Sequence, residues 1–242
     1  MAIHIGTSGW SYDHWNGELY EPGLPKSKRL WRYTQEFDTV ELNTSFYHWP
    51  RATAFARWRD ELPSGFMMTV KAPRGLTHAR RLRNPEVWIE RIADSWPELG
   101  DRRAALLVQL HPAQQRDDPR LEYFLSLLPA ATTVAIELRH PSWDAPEVYE
   151  LLERYGAAYV VMSGAGMPCV LRATADLVYV RLHGPDDADL YAGSYSAADL
   201  QWWAQRIDEW ERQGRDVLVY FNNDGSGNAV RNARDLRALL DS

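Results

Sequence analysis

Along this chain, short apolar segments turn polar only at their last alternating positions. Residues 39–43 (TVELN) set Glu41 and Asn43 on one face, and Val40 and Leu42 on the other. Residues 133–139 (TVAIELR) set Glu137 and Arg139 against Val134, Ile136 and Leu138. Residues 178–183 set Arg181 and His183 against Val178, Val180 and Leu182, and residues 217–222 set Tyr220 and Asn222 against Val217, Val219 and Phe221. Side chains alternate faces along a strand, so one face of each segment stays apolar throughout. The other face gains charge or hydrogen-bonding groups at its C-terminal tip. That is the pattern of strands packed outward on helices and turned inward on a site.

Eight segments read as strands: 3–7, 39–43, 66–71, 105–110, 133–138, 158–162, 178–182 and 217–222. Amphipathic helix patterns fill most gaps, at 27–37, 52–62, 85–96, 119–128, 146–155, 197–213 and 228–240. Pro85, Pro119 and Pro146 suit helix first turns, where a missing N–H costs little. Gly156 and Gly214 suit C-caps just before the next strand. Eight strand-then-crossover units in 242 residues predict an α/β fold of the (β/α)₈ TIM-barrel type. A doubly wound open sheet is the competitor, but its strands usually lack inward polar tips on so many members. Between Met162 and Leu177 the run has Gly164, Gly166 and Pro168 and no helical period, so the sixth helix is expected to be missing or truncated. No linker-like stretch interrupts the pattern, and 1–242 reads as a single domain.

Composition narrows the class. Hydrophobic residues make up 45% and charged residues 25%, as in ordinary globular proteins. A net charge of −6 argues against wholesale coating of nucleic acid or of an anionic membrane. The single cysteine, Cys169, excludes an intrachain disulfide and is expected to be a small buried apolar residue. A strand starting at Ile3 leaves no room for a signal peptide, and no 18-residue apolar run is present. A cytoplasmic location is expected, with no membrane association.

In such barrels the chemistry lies at the strands' C-terminal ends and in the loops that follow. Applying the alternation strand by strand places Glu41, Asn43, Thr69, Lys71, Gln109, Glu137, Arg139, Arg181, His183, Tyr220 and Asn222 there, with His111 just beyond the fourth strand. The first strand's phase is ambiguous, and its loop brings Ser8, Trp10, Tyr12 and Trp15 to the same rim. Lys71, Arg139 and Arg181 outnumber Glu41 and Glu137 by one, against the sign of the whole chain, which points to a small anionic substrate. Arg139 and Arg181 would clamp it, and Lys71, Arg139 and Arg181 are expected to be held for the ligand rather than paired structurally with Glu41 and Glu137. Glu137 and Lys71 would exchange protons, with His183 as an alternate acid or base. Asn43, Gln109 and Asn222 would orient hydroxyls beside Glu41 and Tyr220, while the rings of Trp10 and Tyr47 would stack on a sugar.

After the eighth strand, Gly225, Ser226 and Gly227 feed a helix starting near Asn228, a geometry that offers backbone N–H groups to an anion. Three cations in one layer would repel a divalent ion, so no metal and no cofactor is expected. Glu41 and Glu137 fall nearly opposite in an eight-strand ring, which disfavours a glycosidase dyad. The leading reading is a metal-independent enzyme on a phosphorylated or sugar-containing anion. An alternative is a nucleic-acid binding or processing protein using Arg74, Arg80, Arg81 and Arg83 on the same rim. A non-catalytic ligand-binding barrel is the third.

Several long motifs occur in an order that resembles the YecE-like family, domain of unknown function 72. They are GTSGWSY (6–12), TVELNTSFY (39–47), VKAP (70–73), QLHP (109–112), ELRHPSW (137–143), YVRLHG (179–184) and VYFNND (219–224). His111 stands where the fourth-strand motif usually carries an additional proline. The resemblance implies a (β/α)₈-type barrel with a polar pocket at the strand ends, and it implies no particular reaction.

Overall fold

The computed structural model describes residues 2–164, 166–186 and 189–241. Its strands are β1 (Ile3–Ser8), β2 (Thr39–Leu42), β3 (Met67–Lys71), β4 (Arg103–Gln109), β5 (Val134–Glu137), β6 (Ala158–Ser163), β7 (Leu177–Leu182) and β8 (Asp216–Phe221). They close into a barrel in sequence order. Helices α1 (Arg29–Thr34), α2 (Ala52–Glu61), α3 (Glu86–Ser95), α4 (Asp118–Ser126), α5 (Pro146–Arg154), α6 (Ala197–Arg212) and α7 (Asn228–Leu240) alternate with them. The (β/α)₈ expectation holds, and so does the gap: among the described residues no helix lies between β6 and β7. Thr174 anchors that extended connection by donating to the Ala157 carbonyl and accepting the Tyr159 N–H. No helix among the described residues is long and apolar enough to cross a membrane.

Two expectations fail. Helix α1 is shorter than its apolar pattern, because a separate 3₁₀ turn, Lys26–Lys28, precedes it and the chain leaves helical geometry soon after Gln35. Cys169 is exposed rather than buried, since the helix-free connection runs over the surface there.

Contacts gather into two compact units, each built from separate stretches of chain. The first comprises Met1–Glu41, Val161–Leu171 and Leu177–Ser242; the second comprises Leu42–Val160 and Arg172–Asp176. In the first unit, register settles the phase of β1. Ser8 lies beside Glu41, Gly6 beside Tyr220, and Tyr220 beside Arg181, so these five residues share a face. A Cβ on Gly6 would stand 2.2 Å from the Thr39 carbonyl oxygen, so only glycine lets β1 and β2 approach. In the second unit Gln109 pairs with Glu137, and Lys71 pairs with Leu107, which keeps the polar tips of β3, β4 and β5 in phase.

Candidate functional site

In the first unit the strand tips form a satisfied ion pair. Glu41 and Arg181 are both fully buried. Arg181 grips the carboxylate with two donors, Nη2 to Oε1 at 2.7 Å and Nε to Oε2 at 2.9 Å. The Ser8 hydroxyl donates to Oε1 at 2.7 Å and the Tyr179 hydroxyl to Oε2 at 2.6 Å. Burial pushes the Glu41 carboxyl up, but the Arg181 charge and these hydrogen bonds outweigh it and hold the group below its ordinary value. Arg181 therefore spends two of its donors on Glu41, contrary to the expectation of a cation held for ligand. Its Nη1 lies 3.5 Å from His183 Nε2, and Asn222 Nδ2 lies 3.1 Å from His183 Nδ1. His183 is fully buried. Tyr220 is also fully buried, with its hydroxyl 2.7 Å from Thr39 Oγ1 and its ring against Tyr179.

Nearby in this unit, Asp224 accepts from Trp15 Nε1 and lies 2.9 Å from His14 Nε2. Burial raises its carboxyl above the ordinary value. Trp10 gives its carbonyl to the Tyr20 hydroxyl. The loop after β8 forms a 3₁₀ turn, Gly225–Gly227, with Ser226 and Gly227 in left-handed conformation. The Ser226 carbonyl and the Asn228 side chain bond within the chain: Arg231 donates to the Ser226 carbonyl and to Asn228 Oδ1, and Asn228 Nδ2 donates to the Gly193 carbonyl.

The second unit is different in character. Glu137, fully buried, accepts at one oxygen from Gln109 Nε2 at 2.9 Å and from Arg139 Nε at 2.6 Å. Lys71 ends β3 with its Nζ 4.6 Å over the Phe46 ring. Phe46 meets His78 edge-on, and His78 meets His111 at a centroid distance of 5.3 Å. His111 Nδ1 accepts the Ala113 N–H, which leaves the ring proton on Nε2 when the ring is neutral. Asn43 carries a buried Oδ1 without a partner, while Tyr47 is 71% exposed.

His78 stands on a π-helical turn, Gly75–Ala79, a form met often at functional sites. Burial and then the charges of Lys71, His111, Arg139 and Arg74 push its imidazole down to about 4. Strand alternation could not find this residue, because it lies off any strand. The available signal was a histidine within the connection that also carries Arg74, Arg80, Arg81 and Arg83. Among the described residues, no three His, Cys, Asp or Glu side chains gather as a metal site.

Fold and strand tips together define a parallel (β/α)-barrel protein with ionisable groups at the C-terminal strand ends. Residues 4–242 match the family described as "Protein of unknown function DUF72", and the chain belongs to that family. It is 30% identical over 274 aligned positions to UPF0759 protein YunF of Bacillus subtilis, covering 99% of this chain and 95% of that protein. Identity is also 30% to UPF0759 protein YecE of Escherichia coli strain K12, over 92% of this chain and 87% of that one. The crystal structure of a DUF72 family protein from Thermotoga maritima is similar with a TM-score of 0.89 at 28% identity, covering 100% of both chains.

Proposed function

We propose that the protein is a metal-independent enzyme acting on a small anionic substrate, phosphorylated or sugar-containing, at the ends of β3, β4 and β5. One observation carries the reading: burial, and then the cations gathered around it, hold the His78 imidazole neutral far below its ordinary range. Lys71, Arg74 and Arg139 all bear on His78 as positive charges, and Arg139 is held by Glu137 at 2.6 Å. A bound anion would offset the positive charges that bear on His78. Arg139 is oriented through its Nε by Glu137, so its guanidinium plane is set before substrate arrives. As the anion enters, His78 gains affinity for a proton and becomes a general acid or base within the same cluster. Lys71 supplies charge and a second proton carrier, and Gln109 fixes the Glu137 carboxylate. His183, enclosed beside Arg181 and Asn222, is assigned no step. A cytoplasmic setting fits a chain with one cysteine.

Inorganic phosphate is the probe. We expect saturable binding by calorimetry, with the His78 imidazole resonance showing a pKa raised by about one unit or more in the complex. Lys71→Met should weaken binding about tenfold, the loss of one charge-assisted contact. Phosphate that binds without moving the His78 titration would overturn the reading. A short oligonucleotide bound more tightly than phosphate, with steep salt dependence, would transfer the site to nucleic acid.

A further inference from the structure

At the other end of the same strands, the second unit holds a cavity of about 220 Å³. Ile89, Ile92, Trp96, Leu128 and Pro129 give it apolar walls, and Arg103, the first residue of β4, stands at its edge. Trp96 is only 3% exposed, yet its indole Nε1–H is buried with no hydrogen-bond partner. A native fold seldom leaves such a donor unmade, because its desolvation goes uncompensated. The Arg103 guanidinium lies 5.6 Å over the Trp96 ring, and its Nε is fixed by the Gly100 carbonyl. A second, polar recess shares Trp96, Arg103 and Ala131 with the first and adds Gly100, Asp101 and Thr133. Asp101 does not neutralise Arg103, since its carboxylate turns to Arg102 at 2.6 Å.

We infer that this cavity is a binding site for a small aromatic carboxylate, separate from the proposed active site. Its volume exceeds the roughly 150 Å³ of an apolar cavity known to take up benzene, so a ring with a short chain fits. The ring lies among the aliphatic side chains. The carboxylate reaches the polar recess, where it accepts the orphaned indole N–H and meets the Arg103 charge. Apolar walls with a few convergent polar groups are the usual make-up of a small-ligand site. The walls include the α3 side chains Ile89 and Ile92 and the turn Leu128–Pro129 that leads into β5, so occupancy would brace these elements.

The probe is 3-phenylpropionate, compared with 3-phenylpropanol and acetate, titrated into the full-length protein labelled with nitrogen-15. The Trp96 indole cross-peak, identified by its absence in Trp96→Phe, should move downfield and saturate with phenylpropionate alone. Trp96→Phe should weaken binding about fivefold, the worth of one hydrogen bond. Arg103→Met should weaken it about tenfold and abolish the preference for the acid over the alcohol. If Trp96→Phe fails to fold, the acid–alcohol comparison and Arg103→Met still decide the matter. No saturable shift of any indole peak at millimolar probe would overturn the inference. So would equal binding of acid and alcohol by the parent protein.

Discussion

At the scale of single residues, the fate of each strand-tip charge depends on its partner. The strand pattern leaves Arg181 for a ligand, but it and Glu41 are fully buried and joined by two hydrogen bonds. Breaking one side of such a pair leaves the other charge buried alone, at a cost of about 3–5 kcal/mol. Arg181→Met should therefore lower the melting midpoint by roughly 6–20 °C, at about 2–4 °C per kcal/mol for a chain of this size. Replacing both partners, as Glu41→Leu with Arg181→Met, should recover part of that loss, because no unpaired charge remains. Calorimetry on the two variants distinguishes these outcomes, and a neutral Arg181→Met would show that the pair contributes little. Lys71 contrasts with this pair. It is partly exposed over the Phe46 ring, and Lys71→Met should stay close to the parent in stability while binding phosphate about tenfold more weakly.

At the scale of elements, local chemistry decides where helices begin and end. Ser196 caps α6: its hydroxyl accepts the Asp199 N–H while the Asp199 carboxylate accepts the Ser196 N–H. This reciprocal arrangement was present in the sequence as a serine followed three residues later by an acid. Ser196→Ala should cost about 1 kcal/mol, or a midpoint about 2–4 °C lower. A larger loss would mean that the serine also holds the connection before α6. Gly156 and Gly214 end α5 and α6 in left-handed conformation, as the helix patterns required. The π-helical turn that carries His78 is the exception. No propensity marks it, and its form depends on what packs around Leu76 and Thr77, both buried.

At the scale of the molecule, the fold couples its stability to pH through groups whose environment it sets. His78 titrates near 4 in the folded chain, against an ordinary value of 6.5. Between those values the unfolded chain binds more protons, so stability rises with pH there. The His78 contribution is fully present above pH 6.5 and is lost as pH falls toward 4. Glu41, held below its ordinary 4.5, acts in the same direction at lower pH. Melting midpoints measured from pH 7.5 to 4 should therefore fall less steeply in His78→Gln than in the parent, with the difference confined to the region below about 6.5. Parallel curves would mean that His78 is not held neutral by its neighbours.

The sequence by itself determined the barrel class, its eight strands, the lack of a helix between β6 and β7 among the described residues, and the shared face of the paired tips Gln109 and Glu137 and of Arg181 and Tyr220. All of these follow from local periods: two residues along a strand, 3.6 along a helix, and capping signals within a single turn. The phase of β1 needed pairing, since Gly6 and Ser8 could be assigned only from Tyr220 and Glu41 beside them. Tertiary structure also decided which charges are spent. Arg181 meets Glu41 across 140 positions of chain, and no spacing rule reaches that far. It placed His78 among Lys71, His111, Arg139 and Arg74, and it left the Trp96 indole beside a cavity without an acceptor. Burial and charge environment are properties of what surrounds a residue in space. The order of residues constrains them only once the barrel has closed.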